Sequence, residues 1–120
     1  MRVSKNRINK HLEKELFTTL HELIADLKTP EEIGLLLEAF LSKSEHETMA
    51  KRLAIAYWLD KGRGYNNIRT NLKVSSATVA SVQETMKKHK GARLALQHIK
   101  ADEWAKVWAE RIKKFTKRLS

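Results

Sequence analysis

The sequence predicts an all-α fold. Three observations carry that prediction. Apolar residues recur at spacings of three and four along the whole chain. Proline occurs once and glycine four times in 120 residues, too few for a loop-rich fold. No stretch alternates apolar with polar residues as a half-buried strand would.

The first helix is marked by Ile8, Leu12, Leu16, Leu20, Leu23 and Leu27, which share one face, and it is expected to end near Lys28. Thr29-Pro30-Glu31-Glu32 restarts the chain as a helix. Thr29 is the N-cap, Pro30 fits the first helical position, and the two acids face the positive end of the helix dipole. Glu32, three residues after Thr29, completes a capping box. This second helix carries Ile33, Leu36, Leu37, Phe40 and Leu41. Ser42 or Ser44 starts a third, with Glu45 and Glu47 in its first turn and Met49, Leu53, Ala56, Tyr57 and Leu59 as its apolar positions. Gly62 stops it, and residues 62–64 form the loosest connection in the chain.

Residues 65–82 have the layout of a helix-turn-helix. Ile68 and Leu72 lie one turn apart on a short helix, and Val74 fills the gap after it. Ser75 caps the next helix, whose Val79, Val82 and Met86 point back at Ile68 and Leu72. Ser76, Ala77, Ala80 and Ser81 remain free near the start of that second helix. They are small enough for its backbone to approach a major-groove floor. Serine, threonine and alanine at these places suit base edges and phosphates. The DNA-contacting set is therefore expected to comprise Arg69, Lys73, Ser75, Ser76, Ala77, Thr78, Ala80, Ser81, Lys87 and Lys88. Lys73 stands where such a turn usually has glycine. If its backbone is left-handed, it costs on the order of 1 kcal/mol relative to glycine.

Charge points to the same partner. The net charge is +10, yet residues 1–60 hold 9 basic and 10 acidic side chains against 15 and 4 in residues 61–120. An excess confined to one half suggests a polyanion, either nucleic acid or a lipid surface. Lys61, Arg63, Arg69, Lys73, Lys87, Lys88 and Lys90 surround the motif and would supply salt-sensitive affinity for phosphates.

Other classes of function find less support. With no cysteine there is no disulfide, zinc–thiolate or thiol nucleophile. The five histidines show no metal-ligand spacing, and neither a nucleophile elbow nor a phosphate-cradling glycine loop is present. No enzyme, metal or cofactor is expected. The longest apolar runs are a few residues, so neither a membrane span nor a signal peptide is expected, and a cytoplasmic location follows.

Several segments together resemble one family. Leu41-Ser-Lys-Ser-Glu45, Arg52-Leu53-Ala-Ile55, Leu59-Asp-Lys-Gly62, Tyr65-x-x-Ile68 and Val74-Ser-Ser-Ala-Thr-Val79 are similar to the Trp repressor-like superfamily, and most similar to its YerC/YecD branch. The resemblance covers roughly residues 12–96. It implies an intertwined homodimer that aims two recognition helices at successive major grooves, in a transcriptional regulator that is a repressor. It also implies an effector pocket at Ser42, Arg52 and Ser81. In the tryptophan repressor an arginine on the recognition helix helps hold the corepressor, and that position is Ser81 here. The missing cation argues against free tryptophan as the effector. Dimerisation also follows from the residues themselves. Leu16, Phe17, Leu20, Leu23, Leu36, Leu37 and Phe40 form more apolar surface than a small helix-turn-helix can cover.

The expected organisation is a DNA-binding and dimerisation domain over residues 1–96, with the helix-turn-helix near 64–88, followed by a basic amphipathic helix over 97–120. In that tail Trp104, Trp108, Ile112, Phe115 and Leu119 form a helical stripe opposite seven basic residues. Such stripes more often pack than bind. A phosphate contact or a membrane-surface helix are the other readings. The alternative to DNA binding is a helical interaction module whose tail docks an acidic protein or a membrane surface. RNA is disfavoured because the motif lacks stacking aromatics.

Overall fold

The computed structural model describes residues 6–119, except the side chains of residues 104, 105, 108, 109 and 115–119. The described residues form helices α1 (Lys10–Asp26), α2 (Pro30–Phe40), α3 (Lys43–Asp60), α4 (Tyr65–Leu72), α5 (Ser76–Lys88) and α6 (Lys90–Leu119), with no strand among them. The chain divides into two compact units, Met1–His46 and Glu47–Ser120.

In the first unit every helix start is capped by a side chain. Asn9 Oδ1 accepts the Leu12 N–H at 2.8 Å, and Thr29 Oγ1 accepts the Glu32 N–H at 3.2 Å. Glu32 answers by accepting from the Lys28 N–H rather than from that of Thr29 itself, so the predicted box closes one residue early. Ser42 is the cap of α3. Its hydroxyl accepts from the Glu45 N–H at 3.0 Å, while Glu45 accepts from the Ser42 N–H at 2.7 Å. The Ser42 N–H and then its hydroxyl hold the Glu45 carboxyl below the ordinary carboxylate range. Neither α1 nor α2 buries a residue within the chain. Leu16, Phe17, Leu20 and Leu23 are all exposed, and Phe40 is 82% exposed. Leu36 and Leu37 are half-buried.

The second unit holds the core. Ile55, Ile68 and Val79 are fully buried, joined by Ala56, Val82 and Leu96. Tyr57, Trp58, Leu59, Leu72, Val74 and Met86 pack around them. Each large apolar side chain sealed here contributes roughly 1.5–3 kcal/mol. The buried face of α3 includes the expected Ala56, Tyr57 and Leu59 but corrects the rest of the sequence expectation. Met49 and Leu53 are 54% and 45% exposed, and Ile55 is buried instead. Two residues at about 100° each turn the helix most of the way to its other side, so Leu53 and Ile55 cannot share a face.

One helix, α6, runs without interruption from the core residue Leu96 through the basic tail. Ile112 in that tail is 60% exposed. The Trp104, Trp108, Phe115 and Leu119 side chains of the expected stripe lie outside the described residues. Among the described residues no helix is long and apolar enough to cross a membrane.

Candidate nucleic-acid interface

Two short helices joined by a three-residue turn build the site. Gly62 ends α3 with φ +85°, the conformation that favours glycine. Gly64 then opens α4. Arg63 between them lies over Trp58, its guanidinium 4.2 Å from the ring centre, with Nη1 3.4 Å from Asn67 Oδ1. This contact ties the connection to both helices it joins.

The turn between α4 and α5 has the left-handed backbone that its position requires. Lys73 adopts φ 57° and ψ 52°, and its N–H and that of Val74 both reach the Arg69 carbonyl. Lys73 is the only non-glycine residue with positive φ among those described. Ser75 follows as the N-cap of α5. Its Oγ accepts the Thr78 N–H at 3.1 Å and sits 2.9 Å from Thr78 Oγ1. These two hydroxyls are thus occupied with each other and with the cap. Ile68 and Val79 meet in the core, and this fixes how the two helices cross. The Tyr65 hydroxyl, bonded to Gln83 Oε1, adds a second tie between α4 and α5.

With one face sealed, the opposite face of α5 is open. Ser76, Ala77, Ala80 and Ser81 are exposed. Arg69 reaches across the turn, its Nη1 donating to Ser76 Oγ at 3.0 Å and its Nη2 to Asn66 Oδ1 at 3.1 Å.

The surrounding cations divide into two groups. Lys61 pairs with Glu103 at 3.1 Å, and Lys88 with Glu84 at 3.4 Å. Lys73, Lys87 and Lys90 are exposed and, among the described residues, have no acidic partner. Arg93 Nη1 donates to the Lys87 carbonyl at the end of α5, which steadies the approach of α6.

The residues read as an effector pocket are placed as follows. The Ser42 hydroxyl is engaged in capping α3. Arg52 and Ser81 are exposed on α3 and α5, and no hydrogen bond joins them. Asn66, Trp58 and Gln83 organise the site but were not singled out from sequence. Asn66 alone left a signal, because it stands one turn before Arg69.

The family model described as Trp repressor protein matches residues 15–98. The chain belongs to the Trp repressor family. This is a family of helix-turn-helix DNA-binding regulators and not of enzymes. The match ends inside α6, and the rest of that helix lies outside it. No curated protein and no solved structure matches the chain.

Proposed function

We propose that this Trp repressor family member is a sequence-specific transcriptional repressor that acts as a homodimer in the cytoplasm. The observation that carries the reading is the exposed small-residue face of α5 on a sealed helix-turn-helix, within a chain of this family. α5 enters the major groove of each half-site. Ser76, Ala77, Ala80 and Ser81 approach base edges, while Ser75 and Thr78 hold the helix start in shape. Lys73, Lys87 and Lys88 meet phosphates and supply the part of the affinity that salt erodes.

The dimer rests on a separate observation. Ile8, Leu12, Leu16, Phe17, Leu20, Leu23 and Ile24 are all at least 37% exposed on or beside one helix. A second copy would cover that face and set two recognition helices about one DNA turn apart. Free tryptophan is not the effector in this reading, because Ser81 offers no cation for its carboxylate.

The test is affinity for genomic DNA fragments at rising salt, paired with sedimentation of the free chain. Binding that weakens steeply with salt, by a dimer, is the expected result. A chain that ignores DNA at low salt, or binds it without salt dependence, refutes the reading. Binding to acidic lipid vesicles in place of DNA would favour the docking-tail alternative.

A further inference from the structure

One side of α6 changes character partway along the helix. As far as Glu103 its only residues that are not exposed are Ala92, Ala95, Leu96, Ile99 and Glu103. They lie on one side, the side that carries the core residue Leu96. In the sequence the same spacing continues that line through Lys106, Glu110, Lys113 and Lys117. Lys106 and Lys113 are exposed, as is Lys114 beside them, and among the described residues no acid pairs with any of the three. Residues 104–119 carry six basic residues against one acid, Glu110.

The direction of α6 decides where that line goes. Leu96 shares the core with Ile55, Lys100 pairs with Asp60, and Glu103 pairs with Lys61. The positions advance together on both helices, so α6 runs in the same direction as α3. Residues 104–119 continue past the last pair for about 24 Å at about 1.5 Å each. α4 begins at Tyr65, just after Lys61, so α4 and this overhang leave α3 at the same end. In a docked helix-turn-helix the first helix crosses the DNA backbone. A duplex held by α4 and α5 therefore brings phosphates to the end of the unit from which the lysine line departs. A lipid surface would instead take the apolar side, and Ile112 lies about 100° or more around the helix from that line.

We propose that the lysine line of α6, with Lys106, Lys113 and Lys114, docks the sugar–phosphate backbone of duplex DNA just outside each half-site. This contact rests on the DNA-binding reading above. It adds affinity without base preference, because phosphates carry no sequence information. An overhang of about 24 Å reaches along about seven base pairs.

The full chain is used to select a site from random DNA, which is then remade with no flanks and with flanks of about eight base pairs of arbitrary sequence. The flanks should tighten binding about tenfold whatever their sequence, and steepen the salt slope by about two to three per protomer. Flanks built with uncharged methylphosphonate linkages should give no gain. The triple variant Lys106→Gln, Lys113→Gln, Lys114→Gln, checked for unchanged helical circular dichroism, should lose the gain. It should keep the selected sequence and the affinity for the flankless site. The flank and methylphosphonate series on the unaltered chain carries the test if the variant does not fold. Equal affinity with and without flanks would overturn the proposal. So would a folded variant that keeps the gain, or one that weakens equally on the flankless site. No flank gain, with binding to phosphatidylserine vesicles that the triple variant loses, would assign the line to a lipid surface and overturn it too. An unaltered chain that binds no DNA at all would fail the underlying reading, a result distinct from DNA binding without a flank gain.

Discussion

Lys100 Nζ lies 2.8 Å from Asp60 Oδ2, and one turn further along α6 Glu103 Oε2 lies 3.1 Å from Lys61 Nζ. The two pairs have crossed polarity: α3 ends on an acid followed by a base, and α6 answers with a base followed by an acid. They fix the register of α6 against the end of α3 beyond the last core residue, Leu96. All four side chains are partly exposed, so each pair contributes only about 0.2–1 kcal/mol. Lys100→Glu should lower the thermal midpoint, and Asp60→Lys on that background should restore much of it. The coupling should shrink at about 1 M salt.

Lys73 occupies a backbone conformation that favours glycine. Lys73→Gly should raise unfolding free energy by about 1 kcal/mol, a midpoint rise of roughly 4 °C. The same change should weaken DNA binding and reduce its salt slope, because the ammonium is lost. Thermal unfolding and fluorescence titration check the two halves. A variant more stable and equally tight on DNA would remove Lys73 from the interface.

Core and surface positions on α3 should separate sharply. Ile55→Ala removes a fully buried side chain and should cost about 2–5 kcal/mol, a large part of a small domain's stability. Leu53→Ala, at a position 45% exposed, should cost under about 1 kcal/mol when the chain is held at low concentration. Urea midpoints compare them directly.

The cap of α3 should respond to acid. Folding lowers the Glu45 pKa through the Ser42 N–H and hydroxyl. A carboxyl depressed in this way contributes its stability above the ordinary carboxylate range and loses it as pH falls through the lowered value. Protection of the amides at the start of α3, with exchange corrected for the intrinsic rate at each pH, should therefore fall as the solution is acidified through that window. Glu45→Gln should show lower protection there at neutral pH and little further loss on acidification.

Much of this was legible in the residues. Thr29-Pro30-Glu31-Glu32 starts α2, Gly62 stops α3, and Ile68, Val79 and Val82 meet in the core as their spacing predicts. The left-handed turn at Lys73 was legible because motifs of this kind put glycine there. The buried face of α3 was legible only in part: Ala56, Tyr57 and Leu59 are on the core as expected, and Ile55 was not foreseen. From Leu53 to Leu59 every residue is apolar, so periodicity offers more than one face and cannot choose between them. Only the tertiary contacts with Ile68 and Val79 decide for Ile55. The Ser42–Glu45 box has the same serine-x-x-glutamate spelling as other capping boxes, but Ser44 beside it offered a rival cap. The bridge from Arg69 to Ser76 depends on the turn's handedness, and no spacing rule encodes that.

The continuity of α6 changes what its charge can do. A helix of 30 residues at about 1.5 Å each is about 45 Å long. Its first turns are sealed into the core at Leu96 and braced at Lys100 and Glu103. A disordered basic tail samples a cloud of positions and finds phosphate anywhere within reach, its contribution set by effective concentration. Charges carried on a rod have no such freedom. Were a duplex to run along α6, their contribution would depend on whether its curvature follows that line, and the same lysines would then discriminate between straight and bent duplexes.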